Sequence, residues 1–310
     1  MTRRFGLLFA PLVFLLSCAP LAAPAPSTPA PIAVRSAAAF PTSVTDFQGR
    51  SVAISKRPER IVSIGPSNTE FLFALGAGDR VVGDDDFSDE PPAAKAKEHV
   101  GGVKVNLEKV VSLKPDLIVT VKFSDGTVEA LSQSTAAVLV VDPRNAADVA
   151  RTASLLGKAV GADGDKLASE IQVKLDAVKA KTANAAKPRV FHEIDASDLT
   201  KMYTVGPGSF VDDLIKLAGG TNIAAAAKSQ YPTISAEEVV RADPEIIVLA
   251  DAAYGTTGEA VAARPGWSAL SAVKTKRVYP VDGNLFSRPG PRLGTAAEAY
   301  AKLVHPELFQ

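Results

Sequence analysis

The sequence predicts an α/β fold of two doubly wound lobes, each built on a central, mainly parallel sheet, joined by a single long α-helix. Three observations carry this expectation. Short β-branched runs without polar alternation recur along the chain with amphipathic stretches between them, as strands covered by helices on both faces require. A segment of the first half returns in recognisable form in the second. Between the two sets of strands lies one long run of good helix formers.

The strand candidates are residues 60–64, 81–83, 117–121 and 138–141 in the first half, and 190–194, 246–249 and 278–281 in the second. Over residues 163–182, Leu167, Ile171, Leu175 and Val178 recur at helical spacing. Asp163 or Asp165 can cap the start, and Asn184 and Pro188 mark the end. At ~1.5 Å per residue such a helix spans about 28 Å, enough to run from one lobe to the other.

The internal repeat pairs Asn106-Leu107-Glu108-Lys109-Val110-Val111 with Ser235-Ala236-Glu237-Glu238-Val239-Val240. Their sequels, Lys114-Pro115-Asp116-Leu117-Ile118-Val119 and Asp243-Pro244-Glu245-Ile246-Ile247-Val248, also match. In each copy a capping residue opens a short helix, a proline ends it and a buried strand follows. Residues 67–76 and 209–219 form a second pair, both read as helices stopped by glycine. The lobes are therefore expected to be divergent copies of one unit.

At the N-terminus, Arg3 and Arg4 precede an apolar run over residues 5–16 that is too short to span a bilayer, which reads as an export signal over 1–17. The run ends in Leu15-Leu16-Ser17-Cys18, which resembles the bacterial lipobox, so Cys18 is expected to be lipidated and to anchor the chain to a membrane. It is the only cysteine, which leaves no disulfide framework and no cysteine metal cluster. Residues 18–43, rich in Ala, Pro, Ser and Thr, read as a tether. The organisation expected after it is an N-terminal lobe over 44–160, a connecting helix over 161–184 and a C-terminal lobe over 185–310.

Lysine and arginine number 34, as do aspartate and glutamate, so there is no basic surplus to grip a phosphate backbone, and nucleic acid is not an expected partner. The chain carries no Gly-rich phosphate loop ending in Lys-Ser or Lys-Thr, no nucleophile elbow and no paired-histidine zinc motif. His99, His192 and His305 are far apart in sequence. No catalytic residue and no metal site is expected.

From Arg60 to the C-terminus the chain resembles the ABC-importer binding proteins for cobalamin, haem and ferric siderophores, whose lobes are joined by a single rigid helix. The resemblance rests on Arg60-Ile61-Val62-Ser63-Ile64 with Pro66-Ser67-Asn68-Thr69-Glu70, and on Phe87-Ser88-Asp89 with Pro91-Pro92. It continues through Asn106-Leu107-Glu108, Tyr231-Pro232 with Ser235 to Glu237, and Arg288-Pro289-Gly290-Pro291-Arg292. It implies a monomer that binds a bulky macrocycle and works with an ABC permease and its ATPase subunits. It also implies that Glu108 and Glu237 dock into the permease. The residues agree, because both glutamates sit two positions after a cap, and Glu238 is placed to complete a capping box with Ser235 that leaves Glu237 free. Glu70, similarly spaced after Ser67, is expected to be a capping glutamate, and Arg292 to hold the helix that follows it.

Open α/β sheets bind ligands at the carboxyl ends of their strands. This places Pro66, Ser67, Asn68 and Phe87 on the first lobe's side of the cleft. On the second lobe Tyr203, Tyr231, Tyr254, Asn284, Phe286 and Arg288 follow strands or lie in linking loops. The overall pattern is most similar to the cobalamin binders, for which stacking and amide hydrogen bonds suit a corrin ring. Tryptophans that line the cleft in some relatives are replaced here by Gly102 and Tyr231, and the lone Trp267 lies elsewhere. Haem stays open, with Tyr203, Tyr231 and Tyr254 ahead of His99 and His192 as axial ligands. So does a ferric siderophore, for which only Arg288 is well placed. A chelatase-like enzyme on a related two-lobed fold is the remote alternative.

Overall fold

The computed structural model describes Thr2 and residues 39–309. Cys18, the expected signal segment apart from Thr2, and most of the expected tether lie outside the described residues.

The first half runs β1 (Thr42–Thr45), β2 (Ser51–Ile54), β3 (Ile61–Ser63), α1 (Pro66–Ala74), β4 (Val81–Asp84), β5 (Glu98–His99), α2 (Leu107–Ser112), β6 (Leu117–Thr120), α3 (Thr127–Leu131), β7 (Ala137–Val140) and α4 (Ala146–Val160). The connecting helix is α5 (Gly164–Thr182). The second half runs β8 (Arg189–Asp195), β9 (Met202–Thr204), α6 (Phe210–Leu217), β10 (Thr221–Asn222), β11 (Thr233–Ile234), α7 (Ala236–Ala242), β12 (Ile246–Leu249), α8 (Gly258–Ala262), α9 (Ser271–Lys274), β13 (Val278–Pro280), α10 (Gly283–Ser287) and α11 (Leu293–Val304).

All strands of the order β5-β4-β3-β6-β7 pair in parallel. The second sheet has the order β11-β9-β8-β12-β13, with β10 also on β8. Here β10, β8, β12 and β13 are parallel while β9 and β11 run antiparallel at one edge. Among the described residues no strand of one sheet pairs with a strand of the other. Each run expected to be a strand is one, and the central strands are buried on both faces. Leu117, Ile118, Val119, Ile246, Ile247 and Val248 are all fully buried. The remaining strands, β1, β2, β5, β9, β10 and β11, carry no such run. β1 starts at Thr42, inside the stretch expected to be tether, because Val44 turns into the core and β2 pairs with it along its whole length.

Asp163 caps α5, its carboxylate accepting from the Lys166 amide at 3.0 Å. Ile171, Leu175 and Val178 are buried as their spacing predicts, and Leu167 is half-buried. They belong to one hydrophobic layer with Ala153 and Leu156 of α4, Leu214 and Ile215 of α6, and Ala297 and Tyr300 of α11. The rod is thus cemented into both halves. Gly157 and Gly164 set its approach to α4, since a Cβ at Gly164 would collide with the Ala153 carbonyl. At the other end the Thr182 hydroxyl donates to the Leu217 carbonyl at 2.7 Å.

The repeat is structural as well. Lys114 and Asp243, at matching positions before the proline, both adopt left-handed backbone, with φ of 48° and 43°. Arg60 donates to the Leu113 carbonyl at 2.9 and 2.7 Å, while Arg189 donates to the Ala242 and Asp243 carbonyls at 2.8 to 3.0 Å. Asp116 accepts from the Arg60 amide at 3.0 Å, and Glu245 from the Arg189 amide at 2.9 Å.

Candidate functional site

The carboxyl ends of β3 and β4 in the first half, and of β8 and β13 in the second, feed the segments that meet between the sheets. After β3, Gly65 caps α1 with φ of 109°, and its amide donates to the Asp85 carboxylate at 2.7 Å. A side chain at Gly65 would run into Val121. Pro66 takes the first helical position, and Pro66 and Ser67 are half-buried. After β4 comes Phe87, 52% exposed, its ring lying where a side chain at Gly102 would stand.

On the second half, Tyr203 and Tyr231 are about half exposed and line a cavity of about 420 Å³ with Ile194, Asp195, Phe210, Val211 and Ser287. Tyr203 lies on β9, whose register sets Tyr203 beside Asp195, and Ser209 caps α6 so that Phe210 and Val211 open onto the same space. Partial burial, and secondarily the carboxylate of Asp142, hold the Tyr231 phenol above its ordinary pKa. Tyr254 ends a short 3-10 turn over Ala252–Tyr254 and is 93% exposed.

Next to the cavity the two halves are joined by a polar seam. Arg288 donates to Asp89 at 2.6 Å, to Glu70 at 3.4 Å and to the Phe87 carbonyl at 3.1 Å. Asn284 donates to Asp89 at 3.2 Å. Arg292 grips Glu70 in a two-pronged contact at 2.8 Å each. Arg288 follows cavity-lining Ser287 and bonds the Phe87 carbonyl, but Phe87 itself does not line that cavity.

Several expected contacts sit differently. Asn68 is buried and its amide donates to the Ile64 carbonyl at 3.0 Å, so it braces the start of α1. Phe286 is also buried, edge-on against Tyr300 with ring centroids 5.5 Å apart, because its place in α10 turns it to the helix layer. Glu70 does not cap α1. With Pro66 first in the helix, Glu70 falls beyond the first turn, out of reach of the cap amide, and pairs with arginines instead. Arg292 stands at the start of α11, but its side chain ties that start to α1.

Glu108 and Glu237 are exposed and hold the same second position in α2 and α7. Asn106 caps α2 through the Lys109 amide at 3.0 Å. Ser235 and Glu238 form the reciprocal capping box, at 3.3 and 2.8 Å. Among the described residues neither the Glu108 nor the Glu237 side chain has an ion pair or hydrogen bond. The histidines lie away from the cavity. His192 is buried against Tyr300, and burial lowers its pKa to about 4. His99 bonds Asp84 at 2.9 Å at the edge of the first sheet, and His305 bonds Glu307 at 2.9 Å. Trp267 is fully buried beneath Arg264, which in turn forks onto the buried Glu193 at 2.5 and 2.7 Å. Among the described residues no three His, Cys, Asp or Glu side chains are grouped to hold a metal ion.

Two α/β halves share one embedded rod, and the aromatic side chains of Tyr203 and Tyr231 line a cavity on the second half. The sequence profile of the periplasmic binding proteins matches residues 61–285, and the chain belongs to that family. It is 35% identical, over 87% of its length and 88% of the relative's, to an uncharacterised ABC transporter substrate-binding lipoprotein, YvrC, of Bacillus subtilis. It is 30% identical, over 97% of its length and 85% of the relative's, to a cobalamin-binding protein of Halobacterium salinarum. The crystal structure of the periplasmic vitamin B12 binding protein BtuF of Vibrio cholerae superposes with a TM-score of 0.70 at 27% identity, covering 82% of this chain and 99% of that one. The protein is therefore an extracytoplasmic binding protein, not an enzyme.

Proposed function

We propose that the protein is a lipid-anchored substrate-binding protein of an ABC importer, which holds a corrinoid, cobalamin or a close relative, between its halves and delivers it to the permease. The observation that carries the ligand assignment is the chemistry of the cavity. Tyrosine rings, aliphatic side chains and a serine line it, and none of its lining residues is cationic. Arg288, the arginine best placed to meet an anion, is already paired with Asp89 and Glu70. A haem with two propionates or an anionic siderophore would meet Asp195 and no free guanidinium there. A corrin ring rimmed with amides needs stacking surface and neutral hydrogen-bonding groups, which Tyr203, Tyr231 and Ser287 offer. Iron ligation by Tyr231 would need its phenolate, and its surroundings favour the phenol. The cobalamin-binding relative and the vitamin B12 binding structure support the same choice.

Cys18 carries the anchor in this reading, and Glu108 and Glu237 are the contacts with the permease, whose ATPase subunits drive release from a monomeric binding protein. Calorimetry with cyanocobalamin, haemin and a ferric catecholate siderophore on the purified full chain tests the ligand assignment. Saturable binding of cyanocobalamin with a retained visible band is expected. Haemin binding with no cyanocobalamin binding would replace the corrinoid by haem.

A further inference from the structure

The carboxylates proposed to dock are accompanied on both halves by an apolar residue that the fold does not need at the surface. On α2 Glu108 is followed three positions later by Val111, and on α7 Glu237 by Val240. Residues three apart share a helix face. The adjacent valines, Val110 and Val239, point inward and are fully buried, whereas Val111 is 57% and Val240 37% exposed. A single exposed valine is ordinary, and valine is a middling helix former with no local advantage there. The same exposed valine at the same place in two diverged copies, each time beside an unpaired carboxylate, is a pattern that packing does not explain.

The second half adds a receptacle. Val240 and Glu237 line a largely apolar groove of about 440 Å³ with Leu199, Ala236, Pro265 and Gly266. Its walls are fixed, since the Ala236 amide donates to the Leu199 carbonyl at 3.0 Å and Gly266, in left-handed backbone, abuts Val240. A partner complementary to this surface carries a cation for Glu237 and an apolar side chain about one helical turn away.

We propose that each docking contact is a charge and an apolar contact together, and that the groove beside Glu237 receives an apolar side chain from a permease loop that also presents an arginine or lysine. This rests on the importer reading above. Docking on the second half then has a keyed component that charge alone does not supply, and it sets the orientation in which the two copies meet the permease.

A photo-crosslinking benzophenone residue placed at position 240 or at position 200, where exposed Thr200 lines the same groove and Glu237 is left in place, tests this in the full-length protein, expressed in its own host, without reference to cargo. Irradiation is expected to join both positions to an ABC permease subunit, with the position 240 adduct on a peptide that holds an apolar residue within a few positions of an arginine or lysine. Val240→Asn is expected to lower capture from a 200 probe roughly tenfold, the effect of one lost valine-sized apolar contact, while Val240→Leu keeps it. Capture at 200 with none at 240, or indifference to Val240→Asn, overturns the groove assignment and leaves glutamate docking intact. Absence of any permease adduct from either position overturns the docking reading itself.

Discussion

Arg288 and Asp89 meet at 2.6 Å, one following the last strand of the second sheet and the other the second strand of the first. Arg288 follows cavity-lining Ser287, and the pair continues through Glu70 to Arg292. Any separation of the two halves at this point must stretch or break these contacts. Arg288→Ala is expected to increase amide exchange in residues 85–89 and 283–288 and to cost about 1 to 3 kcal/mol in urea unfolding. Unaltered exchange in both segments would mean that the seam does not hold the halves.

Arg292→Ala should be the more damaging change in the same seam. Glu70 is 3% exposed on its side chain, and removing its two-pronged partner leaves a buried charge with only the longer contact from Arg288. A loss of roughly 3 kcal/mol is expected, and Glu70→Gln in the Arg292→Ala background should recover part of it by removing that charge. Equal stability of the single and double variants would contradict the charge explanation.

Asp84 gives the stability a pH signature. Burial, opposed by its bond to His99, raises its carboxyl from 3.8 to about 6. The folded chain therefore keeps this proton up to about pH 6, while the unfolded chain releases it near 3.8. Folding takes up a proton in between, so this residue favours the folded state increasingly as the pH falls from 6 towards 4, and its ionisation weighs against folding above 6. The difference in unfolding free energy between wild type and Asp84→Asn should change by up to about 3 kcal/mol across that window and be flat above it. A difference independent of pH would place the titration elsewhere.

Tyr203→Ala and Tyr231→Ala should each weaken cyanocobalamin binding by ~10- to 100-fold in calorimetry, the usual cost of removing an aromatic anchor, with little change in melting temperature. Tyr203→Phe should keep most of the affinity if stacking, not the hydroxyl, carries the contact. Affinities unaffected by both alanine changes would move the ligand out of the cavity.

Reversing the charge of Glu108 and Glu237 together should abolish uptake of labelled cyanocobalamin by cells while leaving its affinity within about twofold, since neither residue lines the cavity. A parallel loss of affinity would mean that these carboxylates act on the ligand.

The strands that the sequence makes legible are those buried on both faces, where hydrophobicity alone dictates the run, as in Ile246–Leu249. The rod is legible for the complementary reason, since a 19-residue helix repeats its apolar stripe often enough to be seen. β9, β10 and β11 are two or three residues long and owe their form to a neighbour, so their own residues carry little signal. The local capping box of Ser235 and Glu238 could be read directly, while Glu70 could not. Its partners are more than 200 positions away, and its spacing from Ser67 imitates a cap that Pro66 displaces. The same limit applies to the cavity. Tyr203 and Tyr231 carry a visible signal as aromatics near strand ends, but Phe210, Val211 and Ser287 join them only through tertiary placement, and Phe286 is turned away by helix geometry that its neighbourhood in sequence does not reveal.

The bare backbone contact between Gly157 and Gly164 makes that corner of the molecule a fulcrum. The connecting helix is long and is fixed at its far end by Thr182, so a methyl group inserted at either glycine would act as a wedge on a lever. Either methyl would have to push buried backbone aside, the Ala153 carbonyl or the Gly164 backbone, so it would shift the rod against α4 and with it the set of the two halves. The angle between the halves is thus held at a place that is not among the cavity-lining residues.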